Sequence, residues 1–170
     1  MPGLEHTGLT GQLTVTGESG DLLLHGPAWD LPDVRRLWMS ALVRGQDRTR
    51  PLEEGQAPRR RRRTGTEHLL PLYISGEVDP AGEPVDCYSE SEFMANIRVN
   101  IDHLLAEVLK PVATVAGTRA VSLLVPGDPT PRAGEVHFLN LEPGELRDDG
   151  LAMKAVLQVV VPYPSQFIAG

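Results

Sequence analysis

The chain has 170 residues, 41% of them apolar and 23% charged, enough for one domain with a real hydrophobic core. Its formal charge of −7 opposes a dedicated nucleic-acid binder, because a phosphate backbone demands a dominantly basic surface. A single cysteine, Cys87, rules out an intrachain disulfide and a thiolate metal cluster.

An aromatic share of 5%, with 17 glycines and 15 prolines, favours short strands between many turns, so a β-rich fold is expected. The start Met1-Pro2-Gly3-Leu4-Glu5-His6 lacks the basic start and apolar stretch of a secretory signal, and no apolar run nears the roughly 18 residues that cross a bilayer. Neither export by its own signal nor membrane embedding is expected.

Residues 1–9 are poor in apolar side chains and read as a flexible or partner-dependent arm. Gln12-Leu13-Thr14-Val15-Thr16 alternates with the period of a strand, Gly17 to Gly20 turns the chain, and Asp21 to His25 can pair back as a hairpin. Pro27 to Pro32 reads as an extended connection. Trp29 and Trp38 are expected in the core, each indole N–H finding a carbonyl.

Between Leu42 and Leu72 lies a polar insert, 44–66, that carries Arg44, Asp47, Arg48 and Arg50 and then the run Arg59, Arg60, Arg61, Arg62, Arg63. Five consecutive guanidinium groups repel one another unless water, salt, phosphate or carboxylates surround them. Such a stretch has little to bury. It is either a solvated loop stem or a protrusion that docks on an acidic surface of a neighbouring copy, and the nine residues named are the candidate interface; contact with nucleic acid is a third reading.

Glu67 to Ile74 returns to strand composition, with Pro71 pointing to an edge or bulge position, and the two flanks of the insert are expected to pair. Gly76 to Asp86 is an acidic surface loop. A helix follows over 90–110: Ser89 and Glu92 have capping-box spacing, and Phe93, Ile97, Ile101, Leu104, Leu105 and Val108 recur at helical intervals. Glu90 and Glu92 sit near its positive end and Lys110 near its negative end. Strands at Arg119 to Val125, Glu135 to Leu141 and Leu151 to Val161 form an antiparallel meander, with loops at Pro126 to Pro131, at Pro143-Gly144 and at Asp148-Asp149-Gly150. Met153, Ala155, Leu157, Val159 and Val161 mark the inward face of the last strand. The domain is expected over 10–164, with a tail at 165–170.

The search for chemistry yields little. His6, His25, His68, His103 and His137 are scattered without ligand spacing; His103 and Glu107 lie one helical turn apart and read as a surface pair. Asp148-Asp149 reads as a solvated turn. Cys87 and the serines lack a nucleophile elbow, and no phosphate-binding glycine loop occurs. Catalysis, a cofactor and a metal are not expected.

The order of strand pairs, long insert, single helix and closing meander resembles the tail-tube fold of long-tailed bacteriophages, in particular the N-terminal domain of distal tail proteins and small tail proteins of actinobacteriophages. The residues that carry the resemblance are Gly26-Pro27-Ala28-Trp29, Val43-Arg44-Gly45-Gln46-Asp47-Arg48, Leu70-Pro71-Leu72 with Gly76-Glu77-Val78-Asp79, Asn100 to Leu104, and Val159 to Pro162. The resemblance implies a mainly β fold with one α-helix, an antiparallel β-sandwich or barrel flanked by that helix and bearing a long extended insert. It further implies a homo-oligomeric ring, hexameric in that family, that passes DNA in a virion tail beside tape-measure and adjacent tube or hub proteins. A head-tail connector or tail-terminator ring and a small-ligand or carbohydrate-binding β-sandwich are the alternatives.

Overall fold

The computed structural model describes residues 3–4, 10–38, 66–110, 118–147, 149–162 and 167. Within them the chain is mainly β with one long helix, and its strands form a single antiparallel half-barrel sheet. The strands are β1 (Gln12–Thr16), β2 (Asp21–Leu23), β3 (Trp29–Asp30), β4 (Thr66–Ser75), β5 (Arg119–Leu124), β6 (Arg132–Leu146) and β7 (Ala152–Val161). They lie in the order β2-β1-β5-β6-β7-β4-β3. A short helical turn α1 (Arg35–Trp38) follows β3, and α2 (Glu90–Leu104) runs on into a π-helical turn, Leu105–Leu109.

One strand bends the sheet. Residues Arg132 to Val136 of β6 pair with β5, whereas His137 to Leu146 pair with β7, so this strand of 15 residues belongs to both halves. Its register slips between Phe138 and Asn140 and again between Pro143 and Leu146, the kind of irregularity that sharpens local twist. The loop expected at Pro143-Gly144 is therefore a bulged part of β6. Glycine fits it because a Cβ at Gly144 would run into the carbonyl oxygen of Lys154 on β7.

The alternation read from the sequence decides which side is buried. Leu13 and Val15 of β1, Leu70, Leu72 and Ile74 of β4, Val121 and Leu123 of β5 and the expected face of β7 all point into one core. Pro71 sits where β4 lacks a strand on its outer side among the described residues, since β3 pairs only with Tyr73 and Ile74. The near flank of the insert, 39–43, lies outside the described residues, and with it the expected pairing of the two flanks; the described strand that meets the end of β4 is Trp29–Asp30.

Ser89 caps α2 with both hydrogen bonds of a capping box, and the helix lies against β4 while its π turn lies against β6. The inward stripe is Asn96, Ile97, Asn100, Leu104 and Val108. Leu105, expected inside, is exposed, because at about 100° per residue it is turned away from Leu104.

Both ends of the described body are tied down. Gly3 N–H donates to Glu77 Oε2 at 3.1 Å and Leu4 N–H to the Pro27 carbonyl at 2.9 Å, so these two residues of the expected arm rest on the domain. Phe167, assigned to a tail by its sequence position, is fully buried, and its carbonyl accepts from Arg132 Nη1. No helix among the described residues is long and apolar enough to cross a membrane.

Candidate functional site

The nine residues expected at an interface, Arg44, Asp47, Arg48, Arg50, Arg59, Arg60, Arg61, Arg62 and Arg63, lie outside the described residues. Their anchors do not. On the near side Leu37 is buried in the core and Trp38 donates from its indole to the Thr10 carbonyl at 3.1 Å. On the far side β4 carries Leu70 and Leu72 into the same core. The described residues on both sides of the insert are thus fixed in the body.

Its charge sets it apart from what holds it. Residues 44–66 contain eight arginines against three acidic side chains, while the remaining 147 residues contain eight basic against twenty acidic ones. A segment of net charge +5 is set in a body of −12. Acidic side chains concentrate over 76–92, where Glu77, Asp79, Glu83, Asp86, Glu90 and Glu92 occur with no lysine or arginine among them.

Three of these six carboxylates have local work. Glu77 accepts from Gly3 N–H, Asp79 Oδ1 from the amides of Ala81 and Glu83 at 2.9 Å each, and Glu92 from the amides of Tyr88 and Ser89 at the helix start. Glu83, Asp86 and Glu90 are exposed, and their side-chain carboxylates have no hydrogen-bond or ion-pair partner among the described residues. Beside them Tyr88 is 87% exposed, and the outward face of α2 and its π turn displays Met94, Val99 and Leu105.

Polar groups elsewhere are committed to architecture. His25 and Asp30 form a buried pair with Nδ1 and Oδ1 3.2 Å apart, but His25 Nε2 accepts from the Leu13 amide at 2.7 Å. That bond assigns the proton to Nδ1 and leaves Nε2 without a lone pair for a substrate. His103 stacks on Trp29, ring centroids 5.6 Å apart, and the Trp29 indole donates to the Leu23 carbonyl at 3.3 Å. Trp29 therefore takes the role expected of it, whereas Trp38 finds its carbonyl but is only half-buried against the core.

Glu107 does not simply pair with His103. Its carboxylate accepts from the hydroxyl and the amide of Ser19, at 2.7 and 2.9 Å, holding the turn between β1 and β2. Those two donors, the hydroxyl first, hold its pKa below the ordinary carboxylate range. Asp149 is lowered by Arg147 and then by the Leu151 amide, in a turn as expected; Asp148 lies outside the described residues. Burial pushes the Cys87 thiol up, helped by Glu92 and Asp86, the reverse of what a nucleophilic thiolate needs.

An open cleft of about 420 Å³ lies between the start of β1 and the end of β5, lined by Gly11, Gln12 and Leu124 to Pro129. Its one carboxylate, Asp128, is engaged by the Thr130 amide and by Arg132. Among the described residues no three histidine, cysteine or carboxylate side chains converge as a metal site would require.

The chain was compared with protein-family models, with curated proteins and with solved structures, and none matches. Two kinds of residue that matter here escaped the sequence reading. Asn96 and Asn100 are buried amides on the inward stripe, for which polar residues at core spacing were the available sign. Tyr88, Met94, Val99 and Leu105 are exposed on or beside the helix, Met94 and Val99 about 140° apart around it, so apolar spacing did not reveal them.

Proposed function

We propose that the chain is a structural protein of a long-tailed bacteriophage virion, forming an oligomeric ring of the tail tube or of the distal tail hub through which DNA passes. The observation that carries this reading is the half-barrel. Among the described residues its sheet is open and ends on β2 and β3, strands of three and two residues. Copies placed side by side around an axis extend such sheets into a closed lining, with two different patches of each copy in contact.

The charge division supports the same reading. A body of net negative charge repels phosphates weakly, so that DNA can slide along a wall without sticking to it. The arginine-rich insert, leaving the body between Trp38 and β4, is the element that reaches the next copy, where forked guanidinium donors meet carboxylates. In this reading the protein transports and connects without catalysing, beside tape-measure and neighbouring tube or hub proteins.

Size-exclusion chromatography with light scattering over a wide concentration range tests the proposal, together with electron micrographs of the purified protein. Rings of about six copies or stacked tubes are expected. A single copy at every concentration would overturn it.

A further inference from the structure

We propose that the outward face of α2, together with the acidic loop that leads into it, is the surface on which the arginine-rich segment of a second copy docks. The inference rests on the ring reading above and names the receiving half of the contact.

Seven large apolar side chains are exposed among the described residues, and four of them, Tyr88, Met94, Val99 and Leu105, lie on this helix or at its cap. Asn96, Ile97, Asn100, Leu104 and Val108 fill the buried face of the helix and its π turn, and none of the four exposed side chains belongs to it. Exposed apolar side chains gathered on one element mark an interaction surface.

Charge chooses the occupant. The carboxylates of Glu83, Asp86 and Glu90, unpartnered among the described residues, flank Tyr88 in sequence, and the 76–92 stretch holds six acidic side chains and no basic one. A hydrophobic or acidic partner would leave these carboxylates uncompensated. A run such as Arg59 to Arg63 matches them: its guanidinium groups pair with the carboxylates and stack on the Tyr88 ring, while its aliphatic stems cover Met94 at the start of the helix. Tyrosine, methionine and arginine are also the residue types enriched where proteins meet.

Three purified forms test this by light scattering: Glu83→Lys with Asp86→Lys and Glu90→Lys, the five substitutions Arg59→Glu to Arg63→Glu, and the two sets combined. Each set alone is expected to weaken association about tenfold or more, and the combined form to recover most of it. Circular dichroism checks that each form is folded. A photo-crosslinking residue at Tyr88, in an otherwise unaltered chain mixed from ¹⁴N and ¹⁵N copies, should join residues 44–66 of a different copy.

Undiminished assembly of the folded acidic-face variant, no recovery in the combined form, or crosslinks confined to one copy would each overturn the docking face while leaving the ring reading standing. If the unaltered protein does not associate at all, the ring reading itself fails. Should the lysine variant not fold, the crosslink alone decides.

Discussion

Arg119 Nε donates to the carbonyl oxygen of Val108 at 2.6 Å, so a side chain from β5 closes the C-terminal end of the long helix. Its Nη2 reaches the Lys110 carbonyl and Glu18 Oε1, each at 2.8 Å, and the residue is buried. The last carbonyls of a helix have no partner within the helix, and a buried end needs donors from elsewhere. One guanidinium thus ties together the helix, the sheet and the turn between β1 and β2.

Replacing Arg119 with methionine keeps the stem and removes every donor. It should cost about 2–4 kcal/mol in urea unfolding, since the buried Val108 carbonyl and the part-buried Lys110 carbonyl lose their partner. Arg119→Lys, with a single ammonium point, should recover only part. Equal stability of all three proteins would show that the helix end is satisfied in some other way.

Asn96 and Asn100 act as a pair. Both side-chain amides donate to the Val78 carbonyl, at 2.7 and 3.0 Å, and each donates once more, Asn96 to Gly76 and Asn100 to Ser75. Asn100→Ala should cost about 1–3 kcal/mol. Asn100→Asp should cost more, because it sets a second oxygen against two carbonyls in place of the donor. Thermal unfolding monitored by circular dichroism ranks the two, and the opposite order would refute this assignment.

Acid should loosen the turns before the sheet. Asp33, Glu107, Asp128 and Asp149 all hold their protons less tightly than usual, each through hydrogen bonds from a neighbour. As the pH falls through the ordinary values of 4.5 for Glu and 3.8 for Asp, the unfolded chain takes up protons while the folded chain does not yet. Their stabilisation is therefore complete above that range, shrinks on acidification, and vanishes below the folded values. Urea midpoints from pH 7 to pH 2 should fall along this course, less steeply for Glu107→Gln and Asp149→Asn.

The bulge in β6 should be intolerant of any side chain at position 144. Gly144→Ala forces β6 and β7 apart where a Cβ meets the Lys154 carbonyl, and overpacking of this kind costs about 1–3 kcal/mol. Hydrogen exchange at the amides of β7 near Lys154 should accelerate in the variant. Unchanged protection there would mean that the bulge relaxes freely.

Deleting Thr49 to Gly65 should leave unfolding of the body nearly unchanged, because the anchors at Trp38 and β4 remain, while association disappears. In the intact protein, association should weaken as salt is raised, each exposed ion pair contributing only about 0.2–1 kcal/mol. Light scattering in low and high salt measures this. Retained assembly of the deletion form would take the insert out of the mechanism.

Local chemistry in the sequence determined most of the elements. The alternation of Leu13 and Val15, the Ser89 and Glu92 spacing and the period-two face from Met153 to Val161 each specify a structure from near neighbours, and the structure has them where the sequence placed them. Charge composition likewise separates the 44–66 insert from its acidic body without any coordinates. Only the tertiary structure decided that one half-barrel sheet forms, that β6 bends across both halves through Gly144, and that Phe167 returns to the core. It also decided that Arg119, Asn96 and Asn100 work buried, and that Tyr88, Met94, Val99 and Leu105 stay exposed. The reason is range: a cap or an alternating strand is satisfied within a few residues, whereas a buried donor or an exposed apolar stripe is defined by what distant chain does or does not cover it.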